Sequence, residues 1–104
     1  MGIIRGVHSE YKVLIGDNEL DIEASRQLYR HSTDFSWGFL GSGPSQLSLA
    51  LMLYYTGSRE TALRFYMEFK HAVIQHLSVD SDFELDESVV KSWIAERRLR
   101  DEKD

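Results

Sequence analysis

The sequence predicts an α+β fold in which a small antiparallel sheet of two to four strands, mostly N-terminal, packs against three main helices. Three observations support this prediction: apolar residues alternate near the start, one segment after a glycine–proline pair is almost wholly apolar, and a later apolar stripe has helical spacing. A length of 104 residues suits one domain. We expect that domain to span residues 1–97, with a charged, fraying tail over 98–104.

The start of the chain predicts the sheet. Residues 3–15 are expected to form two strands, and the second of them has the period-two alternation of a strand with one buried face. The residues that carry this alternation are Tyr11, Val13 and Ile15.

A turn and a short helix come next. Gly16-Asp17-Asn18 predicts a turn, because these residue types tolerate the backbone angles of tight turns. A short third strand is expected at Glu19-Leu20. Asp21 has a side chain that can cap a helix, which we expect over Ile22–Arg30. The polar run 31–34 ends it.

The middle of the chain contains the strongest helix signal. Residues 35–39 alternate aromatic with small side chains, which favours a strand or an extended segment whose rings share one face. Pro44 suits a helix start because its missing N–H would have no partner there. Gly43 is then the expected N-cap, and Gln46 is expected to reach back to backbone N–H groups. The predicted helix 44–56 is apolar nearly all round and should lie in the centre of the domain.

Two further helices are expected. Ser58 can cap one over 59–77 and Asp86 one over 87–98, with an extended segment at 79–85 between them. The stripe of the first consists of Ala62, Phe65, Tyr66, Phe69, Val73 and Leu77. The inner face of the second consists of Val89, Val90, Trp93, Ile94 and Arg97.

The charge and the amino-acid composition of the chain exclude several classes of function. Lys and Arg total 12 against 17 Asp and Glu, a net charge of −5, so we expect no direct binding to nucleic acid. No stretch is long and apolar enough to cross a membrane, and we expect neither a membrane span nor a signal peptide. Because the chain has no cysteine, disulfides and thiolate chemistry are excluded, and we expect a cytoplasmic location.

The glycine-rich helix start is the first candidate binding site. Such a start presents free backbone N–H groups and a partial positive charge, which suit a phosphate or carboxylate. The P-loop pattern fails, because Pro44-Ser45 stands where a Lys followed by Ser or Thr is required. A plain tight turn before a buried helix is the alternative. The residues of this predicted ligand site are Gly41, Ser42, Gly43, Ser45, Gln46 and His31.

The catalytic and metal patterns are incomplete. The run 31–36 has the residue types of a nucleophile–base–orienter set, but no spacing that identifies one. His71 and His76 would lie about 140° apart around a helix. The acidic run 80–86 lacks the glycine and glutamate that a calcium loop requires. We therefore predict no catalytic residue, no metal ligand and no cofactor.

Most of the larger aromatic residues are expected in the core, namely Trp37, Phe39, Phe65, Tyr66, Phe69 and Trp93. Three tyrosines are the candidates for anchoring an interface, since tyrosine is enriched at binding hot spots: Tyr29, Tyr54 and Tyr55. We expect the partner to be another protein, and assembly of the chain with itself stays open. A basic cluster is offset by neighbouring acids and consists of Arg97, Arg98 and Arg100.

The block FSWGFLGSGPSQLSLAL, residues 35–51, resembles the signature of a small family known only as a domain of unknown function. That signature runs aromatic-x-Trp-Gly-aromatic-x-Gly-Ser-Gly-Pro and continues with Ala or Ser, then Gln-Leu. Further pieces of the family pattern correspond here to Ile4-Arg5-Gly6, His31-Ser32 and Phe69-Lys70. The resemblance spans most of residues 3–77 and implies a source among bacteria, archaea, phages and plasmids. It implies no activity.

Three functions are compatible with these observations. The leading one is a non-enzymatic module that binds another macromolecule and is encoded on a mobile element, because no catalytic pattern is complete and aromatic residues are abundant. The first alternative is an anion-binding, nucleotide-binding or hydrolytic domain that uses the Gly-Ser-Gly-Pro helix start. The second is an acidic mimic of nucleic acid, which would need one exposed ridge made of Asp80, Asp82, Glu84 and Asp86.

Overall fold

The computed structural model describes residues 2–103, which contain four antiparallel strands and four α-helices. The strands are β1 (Ile3–Val7), β2 (Lys12–Ile15), β3 (Asn18–Glu19) and β4 (Phe83–Asp86). The helices are α1 (Ile22–Arg26), α2 (Ser42–Thr56), α3 (Arg59–Ala72) and α4 (Glu87–Lys103). Short 3-10 turns lie at His8–Glu10 and Ile74–His76. The predicted α+β class with three main helices is confirmed.

The sheet has the strand order β3-β2-β1-β4, and every neighbouring pair is antiparallel. Ile4 lies opposite Ile15 on β2 and opposite Leu85 on β4, so apolar residues from three strands meet on one face. Side chains alternate between the two faces of a sheet, and that face is the one packed on the helices. The sheet therefore contributes one side of a core that it shares with α2, α3 and α4.

Helix α2 lies in the centre of this core, as the sequence predicts. Every residue from Gly43 to Met52 is buried, so the helix has no face toward solvent over that stretch. It contacts α1, α3 and α4. Gly57 ends it in the left-handed conformation, with its N–H donating to the Leu53 carbonyl.

The start of α2 differs from the prediction in two respects. The helix begins at Ser42, and the N-cap is Gly41 rather than Gly43. Pro44 still falls in the first turn, where a missing N–H costs no helical hydrogen bond. Gln46 does not reach back to the N–H groups of its own helix, because its side chain bonds to a segment that precedes the helix.

The N-terminal elements are close to the prediction, with shifted ends. Tyr11 lies outside the second strand, because its backbone is left-handed at φ 52° and its side chain is exposed. The third strand is shifted back by one residue, to Asn18–Glu19. Asp21 caps α1 by accepting a hydrogen bond from the N–H of Glu23, but the helix ends at Arg26 instead of residue 30.

Residues 35–39 do not form a strand, and their rings do not share one face. Trp37 is buried, and its indole N–H donates to the Ser81 carbonyl. Gly38 has φ 86° and lies so close to the backbone of Val79 that no side chain would fit between them. The chain turns at this glycine, and Phe39 consequently lies 46% exposed instead of in the core.

The C-terminal half also departs from the predicted ends. Helix α3 stops at Ala72, and beyond it the Ile74 carbonyl accepts from the Gly38 N–H and from the Leu77 N–H. Of the predicted extended segment 79–85 only the last three residues lie in a strand, β4, which continues to Asp86. Val89 is exposed rather than inward on α4. Because α4 runs to Lys103, it includes most of the predicted tail, and the fraying of that tail stays a prediction.

Ion pairs join α3 to α4. The guanidinium of Arg97 donates to both carboxylate oxygens of Glu68, at 2.9 and 3.0 Å, and also to Asp101. It lies 4.9 Å from the centre of the Phe65 ring, within the range of a cation–π contact. These bonds raise the pKa of Arg97 and lower that of Asp101. Arg97, the first arginine of the predicted basic cluster, is thus already bound within the chain.

The central position of α2 predicts a large cost for truncating one of its side chains. Leu51 is fully buried, and Leu51→Ala should lower the free energy of unfolding by about 2–5 kcal/mol through lost burial and a cavity. Leu99→Ala, at a position 56% exposed on α4, is the matched control and should change it by less than about 0.5 kcal/mol. Urea denaturation measures both, and equal costs would contradict a central α2.

Candidate functional site

The side chain of Gln46 organises the segment that precedes α2. It is fully buried, and its Oε1 accepts hydrogen bonds from the backbone N–H groups of His31 (2.7 Å) and Ser32 (3.0 Å). Its Nε2 donates to the Ser25 hydroxyl at 2.9 Å and to the Tyr29 carbonyl at 3.2 Å. An amide side chain offers two donors and an acceptor oxygen with two lone pairs, so its bonding capacity is filled. Gln46 therefore fixes the path of the chain from α1 to residue 32.

The ring of His31 lies between two tyrosines. Its Nε2 is 2.8 Å from the Tyr66 hydroxyl, and its face stacks on Tyr29 with ring centres 4.4 Å apart. Burial, and next the charge of Lys70, lower the pKa of His31 from its ordinary value of 6.5. Burial, and next the neighbouring Tyr29, raise the pKa of Tyr66. At neutral pH both groups of the hydrogen bond are consequently uncharged.

A buried lysine lies beside the first turn of α2. Lys70 is 7% exposed, and its ammonium donates to the hydroxyl of Ser45 at 2.9 Å. That hydroxyl donates in turn to the Gly41 carbonyl. A serine beside a lysine has the composition of a nucleophile–base pair. Here, however, the lysine is the hydrogen-bond donor and the serine proton is already engaged, so the contact ties α3 to the start of α2.

The glycines at the start of α2 allow close packing. A Cβ on Gly43 would lie 1.8 Å from the hydroxyl of Ser36, so only glycine lets residue 36 approach this closely. The N–H of Ser45 donates to the Gly41 carbonyl, while Ser42 is exposed in the first turn. The structure thus brings His31, Ser45 and Gln46 of the predicted ligand site into one cluster, whose polar groups bond to each other and to their neighbours.

Two of the three predicted interface tyrosines are exposed. Tyr29 is 57% and Tyr54 is 55% exposed. Tyr55 is half-buried, and its hydroxyl donates to Glu87 at 3.1 Å. Burial, and next that glutamate, raise the pKa of Tyr55. Tyr55 therefore has a structural partner at the start of α4, and the interface role of all three tyrosines stays a prediction.

A separate cleft of about 350 Å³ lies between the β1–β2 connection, β3 and residues 33–35. We call it the acidic cleft. Carboxylates line it at Glu10, Glu19 and Asp34, against one lysine, Lys12, which pairs with Glu10 at 3.3 Å. The other residues that line it are Tyr11, Leu20, Ile22, Thr33 and Phe35, of which Leu20 and Phe35 are buried. The lining of the cleft thus combines negative charge with two buried apolar residues.

Tyr11 in the wall of this cleft has an unusual backbone. Its φ of 52° lies in the left-handed region, which costs a non-glycine residue about 1–3 kcal/mol. The side chain is 52% exposed, and its ring lies 5.7 Å from that of His8. An exposed aromatic face beside carboxylates is chemically suited to a positively charged group.

Neither the acidic cleft nor the burial of Lys70 is predicted from the sequence. Glu10 falls within residues 3–15, which are predicted as two strands, and Glu19 within a short third strand, and nothing in their spacing connects them with Asp34. A signal for Lys70 does exist. It stands four residues after Tyr66 and eight after Ala62, so a charged residue occupies the apolar stripe of α3.

The acidic run 80–86 serves local structure at several positions. Asp82 accepts from the backbone N–H of His8, and Asp86 caps α4 by accepting from the N–H of Ser88. Glu84 lies opposite Arg5 in the sheet. Within residues 2–103, no three His, Cys, Asp or Glu side chains are grouped so that they could hold a metal ion. No helix of that part is long and apolar enough to cross a membrane.

Comparison with known families gives one match. The profile of the family of unknown function DUF6166 matches residues 5–96, which is most of the chain. The chain therefore belongs to this family, as its resemblance in sequence indicates. No curated protein and no solved structure matches it.

The role of Gln46 predicts a large effect on stability. Gln46→Met keeps the approximate shape but leaves the N–H groups of His31 and Ser32 without their acceptor, and an unsatisfied buried group costs about 1–3 kcal/mol. We expect the free energy of unfolding to fall by at least about 2 kcal/mol. Gln27→Met at an exposed position is the control. Similar urea midpoints for the two variants would show that Gln46 does not organise this segment.

The lowered pKa of His31 predicts a stability that depends on pH. Folded His31 binds a proton less readily than unfolded His31, so its contribution is complete above pH 6.5 and is lost as the pH falls below that value. In His31→Gln this loss is absent, and the difference in unfolding free energy between the two proteins should shrink on acidification. A difference that stays constant with pH would contradict the assignment.

Proposed function

We propose that this member of DUF6166 is a non-enzymatic binding module that receives a basic side chain of a partner protein in the acidic cleft. The observation that supports the proposal is the cleft itself, which is lined by three carboxylates and one lysine together with apolar residues that include Leu20 and Phe35. A Lys or Arg side chain has the matching chemistry, because its apolar stem packs on apolar surface while its charged head stays among polar groups.

Size and charge both favour such an occupant. About 350 Å³ is near the lower end of the range for ligand pockets, which suits one long side chain rather than a large cofactor. The net charge of −5 attracts basic partners over distances longer than a contact and increases their rate of association. Tyr11 adds an aromatic face at which a guanidinium or ammonium group gains a cation–π contact.

The two alternative functions have less support. At the start of α2, where the anion or hydrolysis site was predicted, the side chains of Ser45 and Gln46 already bond within the protein, and the N–H of Ser45 donates to the Gly41 carbonyl. A mimic of nucleic acid would have to use Asp82 and Asp86, whose carboxylates accept from backbone N–H groups. A cytoplasmic location and a mobile element as source remain part of our proposal, on the absence of cysteine and the resemblance in sequence.

Binding of a labelled hexa-arginine peptide tests the proposal. We expect the double variant Glu19→Gln/Asp34→Asn to bind the peptide about tenfold more weakly than the wild type, since tenfold corresponds to about 1.4 kcal/mol, a modest loss for two charge contacts. The matched control is Glu96→Gln/Glu102→Gln on α4, which removes the same charge from exposed positions and should bind like the wild type. Fluorescence anisotropy at low salt measures all three proteins.

Three outcomes would overturn the proposal: no binding by the wild type, equal weakening in both double variants, or equal binding of an uncharged peptide of the same length. Equal weakening would mean that the peptide responds to net charge alone. Added salt should weaken the interaction, since screening acts on charges that solvent reaches.

A further inference from the structure

We propose that His31 makes the acidic cleft sensitive to acid, because protonation of its imidazole favours release of the segment that carries Asp34. The inference concerns regulation of the proposed binding site and rests on that function for its binding readout. His31 acts here as a positioning residue, since it lines no part of the cleft.

The segment from His31 to Phe35 is held at its two ends. At one end the side chain of Gln46 accepts hydrogen bonds from the N–H groups of His31 and Ser32, while the imidazole of His31 contacts Tyr66. At the other end Phe35 is 2% exposed in the core. Thr33 and Asp34 lie between these ends, are exposed and line the cleft.

A hydrogen bond connects the first end to the wall of the cleft. The N–H of Asp34 donates to the hydroxyl of Ser32 at 3.2 Å, and the N–H of Ser32 is bonded to Gln46. The position of Asp34 therefore depends on the two residues that Gln46 and the imidazole hold in place. If His31 moves away from α3, the carboxylate of Asp34 loses its fixed position beside the cleft.

The surroundings of His31 favour its uncharged form. Tyr66 and Lys70 face the imidazole from α3, Gln46 holds its backbone from α2, and Tyr29 stacks on it from its own segment. Arg30 precedes it in the chain. Within the described part of the chain no carboxylate forms an ion pair with His31 or Lys70. An imidazolium here would be half-buried beside an ammonium, without a counter-charge.

Linkage gives the direction of the response. The pKa of His31 is lowered while the segment is held, and release into water returns it toward 6.5. Protons therefore bind better to the released form, so acidification increases its population. Binding at the cleft should weaken in proportion as the fraction with a fixed Asp34 falls.

The experiment measures hexa-arginine binding and the backbone amide NMR signals of Ser32–Asp34 between about pH 7.5 and about pH 5.5, the range in which histidine titrates. If the fraction of wild-type molecules in which Asp34 keeps its fixed position falls to about a third, the Kd for the peptide rises about threefold. His31→Gln keeps every carboxylate of the cleft, so titration of the carboxylates is common to both proteins. We expect its binding to weaken less and its amide signals to stay unchanged over this range.

Lys70→Gln provides a second test that keeps a donor for Ser45 but removes the positive charge. We expect the midpoint of the amide titration to move to higher pH, since a neighbouring charge no longer opposes protonation. If His31→Gln does not fold, this shift still decides the question, and an unmoved midpoint would overturn the inference.

The readouts separate the two proposals. Amide signals that titrate with His31, without peptide binding at any pH, would support the acid response and overturn the binding function. Peptide binding at neutral pH with identical pH profiles in wild type and His31→Gln would do the reverse. If neither peptide binding nor a titration of the amide signals is observed, both proposals are overturned.

Discussion

The buried amide of Gln46 sets the position of the chain that precedes the central helix. It stands in the first turns of α2, the helix around which the core is built, and it bonds to four groups between Ser25 and Ser32. Buried polar groups that are fully hydrogen-bonded specify one arrangement, because any other arrangement leaves some of them unsatisfied. The irregular segment after α1 thus has a defined path without regular secondary structure. The positions of His31 and Ser32, and of the acidic cleft beyond them, depend on the hydrogen bonds of Gln46.

Patterns that are local in the sequence predicted the fold well. The apolar block of α2 and the caps at Asp21, Ser58 and Asp86 depend on neighbours a few residues away, and the structure places them as expected. The predictions are wrong at positions where a contact between residues far apart in the sequence determines the structure. Phe39 is exposed because Gly38 packs on Val79, about 40 residues later, and α3 ends before Ile74, whose carbonyl accepts from Gly38. No window of sequence contains those contacts.

The candidate sites also differ in how much of each can be predicted from residues that are close in the sequence. His31 and Gln46 fall within one block of the sequence and are close in space, although the bond between them joins a side chain to a backbone group that composition does not reveal. The acidic cleft joins Glu10 of the β1–β2 connection, Glu19 of strand β3 and Asp34 of the segment between α1 and α2, and each alone reads as an ordinary surface acid. Only the arrangement of the sheet beside residues 33–35 turns these acids into the wall of one cavity.

The order of the strands ties the beginning of the described chain to its last helix. β1 is the inner strand between β2, its neighbour in sequence, and β4, which comes more than 70 residues later. The N–H of Glu87 also bonds to the Gly2 carbonyl at 3.0 Å. Pairings of such long separation slow folding, because a long loop must close before they form. It follows that a cut between α1 and α2 leaves neither fragment with a complete sheet, so the two halves are inseparable as folding units.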